Sequence, residues 1–119
     1  VISIVPRQRL EVRAGEVSKA KAVKDSRIIK AIKELCSKLD GAYGCITIQI
    51  FRTDDRIVLI EINPRFGGGY PLSPRAGANF AEYLIKDYLG EKLEYNEDWN
   101  DNTIMLRYDA EVIIDGSSI

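Results

Sequence analysis

The fold of this chain is decided by residues 45 to 65, which read CITIQIFRTDDRIVLIEINPR. Two apolar runs, Cys45–Phe51 and Ile57–Asn63, flank a polar turn, which is the pattern of a β-hairpin. β-Branched residues occupy both alternating sets of positions in the runs, so we expect both faces of the hairpin to be covered. A polar side chain inside such a strand then needs a specific role.

Three polar side chains interrupt these strands: Gln49, Glu61 and Asn63. Glu61 and Asn63 are two residues apart and share a face, and an antiparallel register that pairs Gln49 with Glu61 brings Gln49 to the same face. One carboxylate and two amide oxygens suit Mg²⁺, with waters and substrate phosphates completing the coordination, and Mn²⁺ could replace it. The alternative is a carboxylate that is simply solvated near a strand end.

The residues after the second strand favour a phosphate ligand. Pro64 keeps Asn63 extended, and Arg65 then follows one step beyond the proposed metal. A guanidinium there can bind phosphate oxygens and stabilise charge on a phosphoryl group in transfer. The glycines at 67–69 allow close approach of the backbone to a ligand, although turn glycines and an exposed ion-pair arginine are the alternative. Neither a Walker A pattern nor GxGxxG occurs.

Composition narrows the chemistry. The 119 residues suit a single domain and include no histidine, which excludes Ser-His-Asp and Cys-His nucleophiles and His-based zinc sites. Two cysteines cannot form a disulfide framework, so a reducing cytoplasm is expected. No apolar run is long enough to span a membrane. Catalysis would therefore use carboxylates, amides, arginines and a hard metal ion.

The remaining patterns predict an α+β chain, with a mostly antiparallel sheet packed against helices. We expect short strands at Ile2–Val5 and Leu10–Val12, and an exposed strand or mobile loop at Glu16–Lys24. An amphipathic helix begins at the N-cap Asp25 and runs to about Leu39, with Cys36 buried on its apolar face.

The last third of the chain contains a second helix and a final strand. Asn79 and Glu82 form a capping box that opens a helix ended by Gly90. Tyr95–Asn102 is predicted to be an acidic surface loop, and Thr103–Ile114 a strand.

The motif EINPRFGGGYPLS (Glu61–Ser73), with GCITIQIF before it and AGANFAEYLIKDYLGE after it, resembles the ATP-grasp superfamily. The closest resemblance is to the ATP-binding domain of the carbamoyl-phosphate synthase large subunit, and it implies the C-terminal half of an ATP-grasp fold. By this resemblance Gln49, Glu61 and Asn63 match the ligands of the Mg²⁺ ions that bridge the ATP phosphates. Arg65 matches the arginine that steadies the phosphoryl group and the acyl phosphate.

The resemblance also implies a reaction. Members use ATP to phosphorylate a small carboxylate, and a nucleophile, usually an amine, then captures the acyl group. The segment from residue 13 to 24 falls where the family has a flexible loop over the phosphates, so Arg13, Lys19 and Lys21 are candidate nucleotide contacts. Solvation of these basic side chains is the alternative.

The same resemblance sets limits on this chain. The family's adenine-contacting hinge and phosphate-binding lysine would precede Val1, so residues 1–119 are expected to be one subdomain of a longer protein and inactive alone.

A second hypothesis is an inactive ATP-grasp-like binding or regulatory module that acts through its polarised surface. Residues 1–39 contain ten basic and four acidic side chains, whereas the remainder contains seven and fourteen. Nucleic-acid binding is weakly supported, because the pI is about 5.5. The sequence does not decide whether the protein forms a homo-oligomer.

Overall fold

A computed structural model describes residues 1–118 and shows an α+β fold. The elements, in chain order, are β1 (Arg7–Arg13), β2 (Glu16–Ala22), α1 (Ser26–Cys36), β3 (Thr47–Arg52), β4 (Ile57–Asn63), α2 (Leu72–Ala76), α3 (Phe80–Tyr88), β5 (Ile104–Leu106) and a 3₁₀ turn at Gly116–Ser118. They form an antiparallel sheet of order β1-β2-β5 and a separate antiparallel hairpin, β3-β4. The predicted α+β class with antiparallel sheets is confirmed.

The hairpin register agrees with the prediction at its polar end. Gln49 pairs with Glu61, and Thr47 pairs with Asn63. After Gln49 the pairing slips by one residue, so that Ile50 lies opposite Leu59. Such a bulge leaves an extra residue in one strand and increases the local twist. The polar side chains therefore keep the shared face that alternation predicts, while the turn end of the hairpin has a different register.

The expectation that both faces of the hairpin are covered is wrong. Four of its apolar side chains, on both faces of the hairpin, are exposed, and we refer to them together as the apolar hairpin surface: Phe51 (67%), Val58 (39%), Leu59 (45%) and Ile60 (48%). Ile48 and Ile50 do pack against the core. The rest stays open because no other helix or strand of residues 1–118 makes extensive contact with the hairpin.

The core lies between the three-stranded sheet and the helices α1 and α2. It is built largely from small and aliphatic side chains: Ile4, Ala20, Ala22, Ile29, Ile32, Leu72, Ala76, Ala78 and Trp99. Within β2 the buried Ser18, Ala20 and Ala22 alternate with Lys19 and Lys21. The segment predicted as an exposed strand or loop is therefore a strand whose small residues face inward.

Both predicted N-cap residues cap their helices, and the Glu82 carboxylate of the predicted capping box accepts from the Asn79 side-chain amide at 3.4 Å. The Asp25 carboxylate accepts hydrogen bonds from the backbone N–H groups of Arg27 (2.9 Å) and Ile28 (3.2 Å). Asn79 accepts from the Glu82 N–H at 3.3 Å, and the chain leaves α3 through Gly90 at φ 82°. Both caps satisfy donors that helix ends leave unpaired.

Helix α1 ends at Cys36, three residues before the predicted Leu39. The chain continues in tight turns, in which Lys38 N–H donates to Leu35 O (3.0 Å) and Leu39 N–H donates to Cys36 O (3.3 Å). Cys36 itself is half-buried rather than buried.

The terminal strands are the main corrections. Residues 2–5 form no strand, although Ile4 is buried, and the predicted Leu10–Val12 strand is the inner part of β1. The strand predicted over 103–114 ends at Leu106, because β5 pairs with β2 at only three positions. Within the predicted surface loop 95–102, Trp99 is 1% exposed.

The described part of the chain is more extended than a compact domain. Its radius of gyration is 16.7 Å and its extents are 56 × 41 × 26 Å. A compact domain of this length would have a radius of gyration of about 13 to 14 Å. None of the helices in residues 1–118 is both long and apolar enough to cross a membrane.

Candidate functional site

Gln49, Glu61 and Asn63 meet at one carboxylate oxygen, and we call them the polar cluster. Glu61 Oε1 accepts a hydrogen bond from Gln49 Nε2 and another from Asn63 Nδ2, the latter at 2.9 Å. A half-turn of either terminal amide would present its oxygen in place of its nitrogen. The three side chains are therefore placed to offer a carboxylate and two amide oxygens to one ion.

This donor set fits a hard cation. Among residues 1–118 no group of three or more His, Cys, Asp or Glu side chains could hold a metal ion, and Glu61 is the single carboxylate of the polar cluster. A metal bound here would depend on amide oxygens, waters and ligand phosphates. That combination suits Mg²⁺ and is unlike the nitrogen and sulfur sets that bind zinc.

Arg65 lies immediately beyond the polar cluster, and its backbone is fixed to the neighbouring strand. Thr47 Oγ1 donates to the Arg65 carbonyl at 2.8 Å, and Arg65 N–H donates to Asn63 O at 2.8 Å. The exposed guanidinium donates to the Phe66 carbonyl at 3.1 Å. No ion pair within residues 1–118 involves it. Its remaining donors are free for an anionic ligand.

The glycine run 67–69 crosses from the hairpin to the other sheet. A Cβ atom on Gly67 would lie 2.9 Å from Thr47 Cγ2, and one on Gly68 would meet the Glu16 carboxylate. The third glycine faces the Arg7 guanidinium, whose Cζ atom would lie 4.0 Å from an added Cβ. A small residue is therefore favoured at Gly67, where the loop passes the β-branched Thr47 of β3, whereas at Gly68 the flexible Glu16 side chain of β2 can move away.

Tyr70 anchors the end of this loop to α3. Its ring lies 4.4 Å from Phe66 and 6.2 Å from Phe80, centroid to centroid. Its hydroxyl accepts from the Ala81 N–H (3.1 Å) and contacts Asn79 Oδ1 at 3.2 Å. The sequence analysis did not predict the contacts of Thr47, Glu16 and Tyr70. For Tyr70 the one local signal is its place directly after a glycine run.

A family model described as "ATP-grasp in the biosynthetic pathway with Ter operon" matches residues 1–110. The chain belongs to the ATP-grasp family. No curated protein matches it. The family match includes the polar cluster, Arg65 and the glycine run, and it supports an ATP-dependent, ligase-type domain. The ATP-grasp resemblance of the EINPR motif is thereby confirmed, whereas the carbamoyl-phosphate synthase-like subtype is a finer statement than this match supports.

The basic residues expected to contact nucleotide lie on the other sheet of this ATP-grasp chain. Arg13 pairs with Asp109 at 2.6 Å, and Lys19 pairs with Glu11 at 2.7 Å. Lys21 has no ion pair within residues 1–118. Because exposed ion pairs contribute little free energy, these contacts would yield readily to a nucleotide. The nucleotide-contact role of all three stays a prediction.

Proposed function

We propose that this chain is the C-terminal part of an ATP-dependent ligase that phosphorylates a small carboxylate and transfers the acyl group to a nucleophile, usually an amine. The observation that supports it best is the convergence of Gln49 and Asn63 on the Glu61 carboxylate, with Arg65 just beyond. Membership of the ATP-grasp family supports ATP as the nucleotide.

Each residue of the site has a role in this proposal. Glu61, with the amide oxygens of Gln49 and Asn63, would hold Mg²⁺, which when bound neutralises the phosphate charge of ATP. Arg65 would bind oxygens of the transferring phosphoryl group and stabilise its developing charge. The Thr47 hydroxyl positions the Arg65 backbone for this task. The glycine run lets the loop lie close to bound ligand.

Two observations support the idea that these residues are part of a larger catalytic unit. The apolar hairpin surface is exposed, and no other helix or strand of residues 1–118 makes extensive contact with the hairpin. Exposed apolar patches on a folded chain commonly mark an interface. We infer that the portion contacting adenine packs from outside this chain. The unpaired Cys36 and Cys45 support a cytoplasmic location.

The finer subtype is also a proposal. The E-x-N-P-R motif, with a glutamine twelve positions before the glutamate, resembles the carbamoyl-phosphate synthase large subunit and favours a related acyl-phosphate chemistry.

Replacement of the cluster carboxylate tests this function. In the full-length protein, Glu61→Gln should lower ATP-dependent acyl-phosphate formation by about a thousandfold or more, because it removes the one carboxylate of the polar cluster. Phosphate transfer can be followed as ADP release in the presence of the carboxylate substrate. Asp55→Asn is the matched control, since Asp55 is exposed on the turn of the same hairpin and should leave the rate unchanged.

Calorimetric titration with Mg²⁺-ATP separates this proposal from an inactive module. Wild-type protein should bind, and Glu61→Gln should bind much more weakly in Mg²⁺ while keeping its far-UV circular dichroism spectrum. A folded wild-type protein that does not bind Mg²⁺-ATP would favour the binding or regulatory module. A Glu61→Gln variant with the wild-type rate would remove the metal assignment.

A further inference from the structure

Arg7 differs from the other arginines of the described chain in its surroundings. Every other arginine among residues 1–118 is exposed, whereas Arg7 is half-buried. The exposed Arg13, Arg52 and Arg107 each pair with a carboxylate. Arg7, the least solvated of the set, pairs with none of the Asp and Glu side chains in residues 1–118.

The contacts of Arg7 do not satisfy its charge. Its Nη1 donates to the hydroxyl of the buried Ser73 at 3.4 Å, which is longer than a typical hydrogen bond of this kind. Burial lowers the pKa of the Arg7 guanidinium from its ordinary value, with the neighbouring Arg9 charge acting in the same direction and Cys45 acting against it. Arginine nevertheless keeps its proton in proteins. A partly desolvated cation without an anion is costly, and a bound anion would offset that cost.

The place of this guanidinium connects it to the candidate site. Arg7 faces Gly69, at the end of the loop that begins at Arg65. Four residues of extended chain reach at most about 14 Å, so Gly69 lies within that distance of Arg65, measured between Cα atoms. Arg7 therefore faces the far end of the same short loop that begins beside the polar cluster, which makes its guanidinium a candidate contact for a second anionic group of a ligand held at Arg65.

The shape of the subsite favours a carboxylate. Its accessible donor is one planar guanidinium, whose paired N–H groups match the two oxygens of a carboxylate. The phosphates of ATP would already be bound by a metal on the polar cluster and by Arg65.

We propose that the Arg7 guanidinium, which the buried Ser73 hydroxyl holds beside Gly69, binds a second carboxylate of the ligase substrate, distinct from the one that is phosphorylated. This rests on the proposed function and adds a substrate class, namely small acids with two carboxylate groups.

Nuclear magnetic resonance of arginine side chains tests the subsite directly. In full-length protein, the Arg7 Nε–H signal should shift saturably with acetate and with glutarate, which serve as mono- and dicarboxylate probes. Arg7→Gln should weaken glutarate binding about ten- to a hundredfold, since it removes a charged hydrogen-bond donor. Arg7→Lys, which keeps the charge but not the fork, should bind with intermediate affinity. Arg56→Gln makes the same charge change in the hairpin turn and should bind like the wild type.

Titrations with inorganic phosphate and with Mg²⁺-ATP test whether the subsite prefers a different anion. No shift of the Arg7 signal with either carboxylate overturns the proposal, as does a shift seen only with Mg²⁺-ATP or tighter binding of phosphate than of glutarate. If only the Arg7 subsite is wrong, Mg²⁺-ATP should still bind and should still shift the Arg65 signal. Loss of that binding would instead count against the proposed function.

Discussion

Glu61 Oε1 holds the polar cluster together, because both amides donate to it. Its neighbours on the strand are apolar, so the single carboxylate is the only charge on β4. Arg65 likewise depends on one contact, because the Thr47 hydroxyl hydrogen-bonds to its backbone carbonyl. The candidate site is therefore a short series of contacts, and most substitutions in it would remove a contact that no neighbouring residue can replace.

A side chain added at Gly67 should disturb the contact between Thr47 and Arg65. In Gly67→Ala the new Cβ would lie 2.9 Å from Thr47 Cγ2 and 3.0 Å from Thr47 Oγ1, and the β-branched side chain has little freedom to move away. We expect the Thr47–Arg65 hydrogen bond to break and kcat to fall about ten- to a hundredfold, the size of effect that a small misplacement causes. Steady-state ligation assays on full-length protein would measure this.

Gly116→Ala is the control for that substitution, since an added Cβ there meets nothing within 4 Å. It should leave kcat unchanged. A Gly67→Ala enzyme with the kcat of the wild type would show that the contact with Thr47 does not position Arg65.

The residues of the site were predictable to different degrees. The polar cluster follows from alternation on two strands and one register, so its convergence could be predicted from spacing. The contacts of Arg7 and Glu16 with the glycine run could not, since they join residues more than fifty positions apart through a loop with no periodic pattern.

At the scale of elements, capping and periodicity located α1, α3 and the hairpin, because those signals are local. Helix α2 was missed, since its five residues are too few for a periodic pattern and include Pro74, which is tolerated in a first turn. Strand β5 stops at Leu106 although apolar residues continue. Strand β2 continues to Glu16 beyond the last paired residue, Lys19, so the edge was available. Which residues of a neighbouring strand are actually paired cannot be seen in the strand's own sequence.

Helix α2 ends at Gly77, which combines a left-handed conformation with a close neighbour. Its φ is +117°, and an added Cβ would lie 3.3 Å from the Trp99 Cα atom, which is backbone and cannot rotate away. Gly77→Ala should lower the free energy of unfolding by about 2 to 4 kcal/mol, through conformational strain and close contact together. Urea denaturation followed by circular dichroism gives the value.

Gly90 offers a comparison in which only the conformation is unfavourable. Its φ is +82°, and no atom lies within 4 Å of an added Cβ. Gly90→Ala should lower the free energy of unfolding by about 1 to 2 kcal/mol. Equal losses in the two variants would mean that the approach of Trp99 to Gly77 contributes nothing.

The whole molecule combines a small core with an apolar surface that its own elements leave open. The sheet and the helices α1 and α2 share the buried side chains, while the hairpin contributes only half-buried residues such as Ile48 and Ile50. The two sheets share no strand pairing, and residues 107–115 are exposed without helix or strand, so the described chain extends over 56 × 41 × 26 Å.

Ile60→Lys distinguishes an open hairpin from one that is covered in the full-length protein. Ile60 is 48% exposed here, so in residues 1–119 alone the change should alter the free energy of unfolding by no more than about 0.5 kcal/mol. In full-length protein we expect a loss of about 2 kcal/mol or more, because the charge would be buried at an interface. Denaturant titrations of both forms measure the two values.

Val12→Lys is the matched control, at 49% exposure on the other sheet. Its effect should be small and similar in both forms. If Ile60→Lys also had the same small effect in both, the apolar hairpin surface would not be an interface with the rest of the protein.

Trp99 has a consequence for how the unfolding of this molecule would be observed. It is the single tryptophan of the chain, it is 1% exposed, and its indole Nε1 has no hydrogen-bond partner within residues 1–118. Its fluorescence should therefore be blue-shifted and should report on the packing beside Gly77. The hairpin that carries the polar cluster would be spectroscopically silent in emission. Opening of the hairpin alone would be visible only to probes of the backbone.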